Sequence, residues 1–141
     1  MITDTDLAYI AGFFDGEGCV GIYPQQNRLR VDVIFSNSNE SVMSWIASTL
    51  GTVGPMMEAR NNTTHPHYTI RLVGKEAGRV LRILLPYLKV KNARAAFALR
   101  VLDLPRLRSR WDTNKEAVLE ERAELLSEYS RLKAGERETW S

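Results

Sequence analysis

The chain has 141 residues, 44% hydrophobic and 26% charged, the balance of one ordinary globular domain. Its longest apolar runs are short, and the one from 80 to 87 carries Arg82, so no segment is suited to span a bilayer. One cysteine, Cys19, excludes a disulfide framework and a multi-cysteine zinc site and suits a reducing compartment. The net charge of +2 hides an asymmetry: residues 1–27 carry −4, residues 28–111 carry +9 and residues 112–141 carry −3. So basic a middle segment points to a polyanionic partner, because Lys and Arg gain by releasing counterions from phosphates. No basic stretch precedes the first apolar run, so no targeting peptide is expected. That reading suits a prokaryotic cytoplasm or the organelle that encodes the chain.

The first element reads as a helix capped by Thr3, Asp4 or Thr5, with Leu7, Ala8, Ile10, Ala11 and Phe14 at helical spacing and Gly16 and Gly18 as its stop. It is apolar on nearly every side, so it calls for burial all round, in one core or against a second copy. A short strand from Cys19 to Tyr23 ends at Pro24, and Gln25–Asn27 turns. Residues 28–35 then alternate, with Leu29, Val31, Val33 and Phe35 on one face and Arg28, Arg30, Asp32 and Ile34 on the other.

A second helix, 40–50, is capped by Ser38 or Asn39, carries a stripe of Val42, Ile46, Thr49 and Leu50 beside Trp45, and closes at Gly51. Residues 55–60 predict a third strand of unclear register, because Met56-Met57 breaks the alternation. After a polar loop, Tyr68, Ile70 and Leu72 alternate in a fourth strand. Helices follow at 75–85 and at 92–104. Arg106, Arg108 and Arg110 form a basic linker ending at Trp111, and Thr113–Glu116 opens a last helix with Val118, Leu119, Leu125, Leu126, Tyr129 and Leu132 inward and Gly135 as its stop. The order α-β-β-α-β-β-α-α-α predicts an α+β fold, with one four-stranded antiparallel sheet and helices on one face.

Asp15 and Glu17 stand at the C-terminal end of an apolar helix, where free carbonyls and the helix dipole disfavour acids by up to about 1 kcal/mol each. A divalent cation reverses that sign, since carboxylate and carbonyl oxygens are the hard ligands Mg²⁺ prefers. An ordinary glycine-rich turn is the competing reading of the same residues.

Ile10-Ala11-Gly12-Phe13-Phe14-Asp15-Gly16-Glu17-Gly18 resembles the signature of the LAGLIDADG homing endonucleases, present once, with Ile for the first Leu and Glu for the second acid. The hairpin that follows, Phe35-Ser36-Asn37-Ser38-Asn39 before the next helix, Leu50-Gly51, and Leu88-Lys89-Val90-Lys91 before a later helix extend the likeness over residues 7 to about 104. The resemblance implies the αββαββα homing-endonuclease fold over 1–104, with 105–141 as a linker and an extra C-terminal helix of the same domain. It implies a homodimer whose motif helices meet through small residues, here Ala8, Ala11 and Gly12. It implies cleavage of double-stranded DNA at a long pseudo-palindromic site, leaving 5′-phosphates and short 3′ overhangs, with Mg²⁺ as cofactor and Mn²⁺ as a substitute.

By the same resemblance Glu17 is the main metal ligand, the Gly16 carbonyl is a second, and Asp15 is a further candidate that alternatively caps the partner's helix or supports the turn. Lys91, with Lys89 as the alternative, matches the family's catalytic-pocket lysine. Asn37 matches a position that holds water near the site, or it caps the next helix. The wet sheet face would read bases in a major groove. Its candidates are Tyr23 and Gln25 in line with Cys19 and Gly21; Arg28, Arg30 and Asp32; and His67, Thr69 and Arg71, with Met57 and Arg60 as weaker ones. An intron-splicing maturase binding RNA, or a DNA-binding protein without catalysis, is the alternative on the same scaffold.

Overall fold

The computed structural model describes residues 2–25, 28–58, 65–104 and 115–140. The Gln26-Asn27 turn, Arg60, the 105–112 linker and the Thr113-Asn114 cap fall outside them. The first helix, α1, spans Asp4–Glu17. Thr3 caps it by accepting from the Asp6 N–H, and Ile10, Ala11 and Phe14 form its buried face. It runs through Gly16 and gives way directly to β1 (Gly18–Gln25), which pairs with β2 (Arg28–Asn37) from Gly18 opposite Phe35 to Gln25 opposite Arg28. Asn39 caps α2 (Glu40–Leu50) through the Val42 N–H, and Gly51, in the left-handed region that favours glycine, ends it. β3 (Met56–Glu58) and β4 (His67–Val73) complete a sheet in the order β1-β2-β4-β3, antiparallel at every pairing.

The remaining elements are α3 (Gly74–Leu84), a 3-10 turn at Leu85–Tyr87, α4 (Asn92–Leu102) and α5 (Lys115–Trp140). Leu29, Val31, Val33 and Phe35 of β2 and Ile70 and Leu72 of β4 are buried with Phe14, Ile46, Leu81 and Ala98 from four helices in one core. The α+β architecture read from the sequence is the one observed. No described helix is long and apolar enough to cross a membrane.

Three local expectations are corrected. The buried stripe of α2 is Met43, Ile46, Ala47 and Leu50, a step round the helix from the expected one, which leaves Val42 and Thr49 at its margin. β3 is only three residues long, and its register places Met56 opposite Thr69 and Met57 opposite Tyr68, so Met57 lies on the other face from the predicted base readers. Helix α5 does not stop at Gly135. An ion pair between Glu136 and Arg94 of α4 anchors the turn beyond it, which offsets the roughly 1 kcal/mol that an interior glycine costs a helix. Along its stripe Tyr129 is buried and Leu125, Leu126 and Leu132 are half-buried, whereas Leu119 is exposed and the Val118 side chain lies outside the described set.

The joint between α1 and β1 depends on Gly18. A Cβ there would lie 2.1 Å from Cδ2 of Phe14, whose ring is fully buried and packs at 5.0 Å from that of Phe35. Gly18→Ala is therefore expected to lower the unfolding free energy by about 1–3 kcal/mol through overpacking, read as a fall in the urea midpoint at an unchanged slope.

Candidate functional site

The last turn of α1 and the turn before α4 are tied together by Asp15. One carboxylate oxygen accepts the Lys89 N–H at 2.8 Å and the other the Lys91 N–H at 2.9 Å. The Asp15 carbonyl, left without an intrahelical donor at the helix end, accepts from Lys91 Nζ. Both oxygens of Asp15 are thus engaged by the turn before α4 and tie it to the helix end. Glu17 differs. It is exposed at the final position of the helix, no basic residue lies in the last turn, and no side-chain bond among the described residues engages it. Gly16 beside it is exposed, with open space above it.

Lys91 is only 9% exposed. Burial first, and then the nearby Arg94 charge, push its ammonium below the ordinary lysine range, while Asp15 and Glu136 oppose them. Lys89 is exposed and meets α1 only through its backbone. Asn37, at the end of β2, lies two residues past the Phe35–Gly18 pair and so at the Glu17 end of the sheet. Its Oδ1 accepts the Asn39 N–H at 2.8 Å and forms the turn into α2. By register Glu17 and Asn37 lie toward the same end of the sheet, and Lys91 is bonded to the last turn of α1.

The register puts the predicted base readers on a single face: Tyr23 and Gln25 of β1, Arg28, Arg30 and Asp32 of β2, and His67, Thr69 and Arg71 of β4. Met56 and Glu58 join them from β3, opposite Thr69 and His67. Two candidates are not free to read. Asp32 is 1% exposed, paired to Arg30 at 2.9 Å and to Arg71 at 3.8 Å; the two arginines cover it. Thr69 is buried against Ser36, hydroxyl to hydroxyl at 3.5 Å. The Arg30 guanidinium also lies over the Tyr23 ring, which folds back across Gly21, where a Cβ would strike it. Asp32 thus holds Arg30 closely and lies within ion-pair range of Arg71 on the same face. Alternation assigned it to that face but carried no sign of the second arginine from β4.

The small residues of α1 divide. Ala8, Gly12 and Gly16 are exposed at successive fourth positions, with nothing over Gly12 or Gly16. Ala11 is fully buried in this chain's own core and is corrected out of the open face. A helix apolar all round gives no phase by which to separate the two sets.

As for a divalent cation, the fitting donors are hard oxygens: the Glu17 carboxylate and the last-turn carbonyls, Gly16 included. No cluster of three or more His, Cys, Asp or Glu side chains occurs among the described residues.

The clasp predicts a measurable stability. Asp15→Ala leaves two backbone N–H groups without their charged acceptor and is expected to lose about 1.5–3 kcal/mol in urea unfolding.

A sequence model described as LAGLIDADG endonuclease matches residues 10–105. No curated protein matches the sequence. Among solved structures, the chain is similar to the homing endonuclease I-CvuI in complex with its target in the presence of Ca, at 25% identity and a TM-score of 0.66 over 91% of this chain and 82% of that one. It is also similar in fold to the archaeal intron-encoded homing endonuclease I-Vdi141I complexed with DNA, at 18% identity and a TM-score of 0.63 over 92% and 84%. The homing endonuclease I-TnaI gives 20% identity and a TM-score of 0.59 over 96% and 99%.

Proposed function

The chain belongs to the LAGLIDADG endonuclease family, and from that premise we propose that it is a homodimeric, divalent-metal-dependent enzyme that cuts both strands of a pseudo-palindromic DNA site. The observation that carries this reading is Glu17, a carboxylate at the negative end of a helix that no bond among the described residues engages, two residues from the Asp15 carbonyl that holds the buried Lys91, with a basic sheet face adjoining. A pure binding surface gains nothing from a free acid close to phosphates.

Each side chain then has a task. Glu17 and the Gly16 carbonyl of each copy would hold Mg²⁺, or Mn²⁺ in its place. When bound, such a cation activates water and offsets charge at the phosphorus and on the leaving 3′ oxygen. Lys91, held at Asp15, places a fixed positive charge toward the same end and stabilises the transition-state oxygens. Arg28, Arg30, Arg71 and Gln25 face the groove, where Arg suits guanine edges and Gln suits adenine, each bidentate contact discriminating by about 1–3 kcal/mol. Cleavage leaves 5′-phosphates and 3′ overhangs.

The subunits meet along Ala8, Gly12 and Gly16, whose lack of bulk lets two helices approach closely. Twofold symmetry then brings two copies of Glu17 toward the axis.

Wild-type protein with Mg²⁺ is expected to cut a duplex selected from randomised DNA, and EDTA to stop it. Glu17→Gln is expected to lower the cleavage rate by roughly 10³-fold or more, while Ca²⁺-supported binding in a mobility-shift assay stays near wild type. Normal cutting by that variant would refute the assignment. Gly12→Arg separates dimerisation from folding, because the side chain enters open space in the single chain. Sedimentation is expected to show a dimer for wild type and a folded monomer for the variant.

A further inference from the structure

We propose that α5, which lies beyond the residues matched by the family model, is a brace that fixes the cation-bearing end of the site, with Glu136 and Tyr129 as its positioning residues. The proposal rests on the nuclease reading for its consequence in catalysis, and on the geometry of a single chain for its structure.

Three contacts define the brace. Glu136 takes both ends of the Arg94 guanidinium, with Nε to Oε1 at 3.2 Å and Nη2 to Oε2, and the two side chains are only 12% and 10% exposed. Tyr129, itself buried, donates its hydroxyl hydrogen to the Val20 carbonyl on the outer edge of β1. Its ring lies nearly parallel to that of Phe97, with centroids 6.3 Å apart. Arg94 and Phe97 sit on the first turns of α4, directly after Lys91, and Val20 comes three residues after Glu17. One helix thus grips β1 and α4, the two elements that follow directly on Glu17 and Lys91.

The ion pair also has an electrostatic task. A forked, shielded Arg–carboxylate pair fixes direction as well as distance. Arg94 is a second cation close to Lys91, and like charges in a half-buried setting repel strongly. Glu136 neutralises Arg94 and holds it along α5. Without that carboxylate the guanidinium keeps its charge but loses its fork, with the Tyr129 hydroxyl still beside it, and the uncompensated repulsion would weaken the hold of Lys91 on the Asp15 carbonyl. By contrast the Arg100–Glu128 pair, 2.9 Å apart on the same two helices, is solvent-exposed and adds little.

The test compares Glu136→Gln, Glu136→Asp and Tyr129→Phe in the full chain, by amide hydrogen exchange of the free protein and by cleavage of the duplex selected with wild type. In Glu136→Gln the Lys89 and Lys91 amides are expected to exchange about tenfold or more faster, while Val33 and Phe35 keep wild-type protection. Its kcat should fall between about ten- and a hundredfold, with KM changed little, as displacement of a positioned group predicts. Glu136→Asp, which keeps the charge, should recover most of both. Should Glu136→Gln unfold, the nearly isosteric Tyr129→Phe decides, through the same amides and those of β1 at Cys19 and Val20. Unchanged exchange at Lys89 and Lys91 overturns the brace whatever the cleavage result. Faster exchange in the variant with no cutting by wild type leaves the brace standing and removes the nuclease reading instead.

Discussion

The structure turns on a single carboxylate. Asp15 receives two backbone N–H groups from a turn 74 and 76 residues further along the chain, and its own carbonyl receives the ammonium of Lys91. An acid in the last turn of a helix is ordinarily unfavourable, because the dipole and the unpaired carbonyls are already negative there. Here the turn before α4 supplies the compensating donors, and in doing so it fixes the start of α4 against the end of α1. The Lys91 ammonium loses solvent but gains a carbonyl and a nearby carboxylate, so its depressed affinity for the proton reflects burial only partly repaid. Glu17, two residues on, receives no such help. The two acids of the motif thus face the same unfavourable field and resolve it differently, one through the fold and one, on the proposed reading, through a cation.

The sheet follows a comparable division. Its inner face is apolar in every strand that reaches the core, and its outer face concentrates arginines around one buried acid. Asp32 is stable there because Arg30 and Arg71 shield it, and each arginine loses freedom in return. A guanidinium already held by a carboxylate gives up less entropy when it meets a ligand, so on the proposed reading the buried acid would serve recognition through Arg30. The flat placement of Tyr23 over Gly21 belongs to the same design: the glycine leaves room on an edge strand for a ring to cover the backbone and carry Arg30 above it.

How much of this the sequence disclosed depends on the range of the interaction. Alternation phased β2 and β4 correctly, because a period of two has only one alternative and Leu29, Val31, Val33 and Phe35 choose it. The nine-residue motif located α1 and the unengaged Glu17. The phase of α1 was hidden, since a helix with apolar residues on all sides does not mark its inner face, and Ala11 was therefore grouped with Ala8 and Gly12. β3 was unreadable for a related reason: all three of its residues are exposed, so no burial pattern fixes its register. The pairings of Asp15 with Lys89 and Lys91, of Asp32 with Arg71 and of Arg94 with Glu136 join distant segments, and no local pattern announces them. Gly135 was misjudged because its neighbour makes the contact that carries the helix past it.

The open stripe of α1 and the charge at its tip are parts of one problem. Ala8, Gly12 and Gly16 form an exposed stripe of small residues, uncovered by the other described residues, that runs to Glu17. Covering it with a second copy would bring two unengaged carboxylates and two negative helix ends toward a common axis. Such an assembly is electrostatically disfavoured by itself, the more so as close packing excludes water and raises the local field. Divalent cations held by those carboxylates remove the penalty. On the proposed dimer, close approach of the helices and metal binding are therefore coupled: small residues create the crowding of acids that a divalent ion relieves. Bulk at Gly12 and charge loss at Glu17 would then act on opposite sides of the same balance, one preventing the approach and the other removing its need for metal.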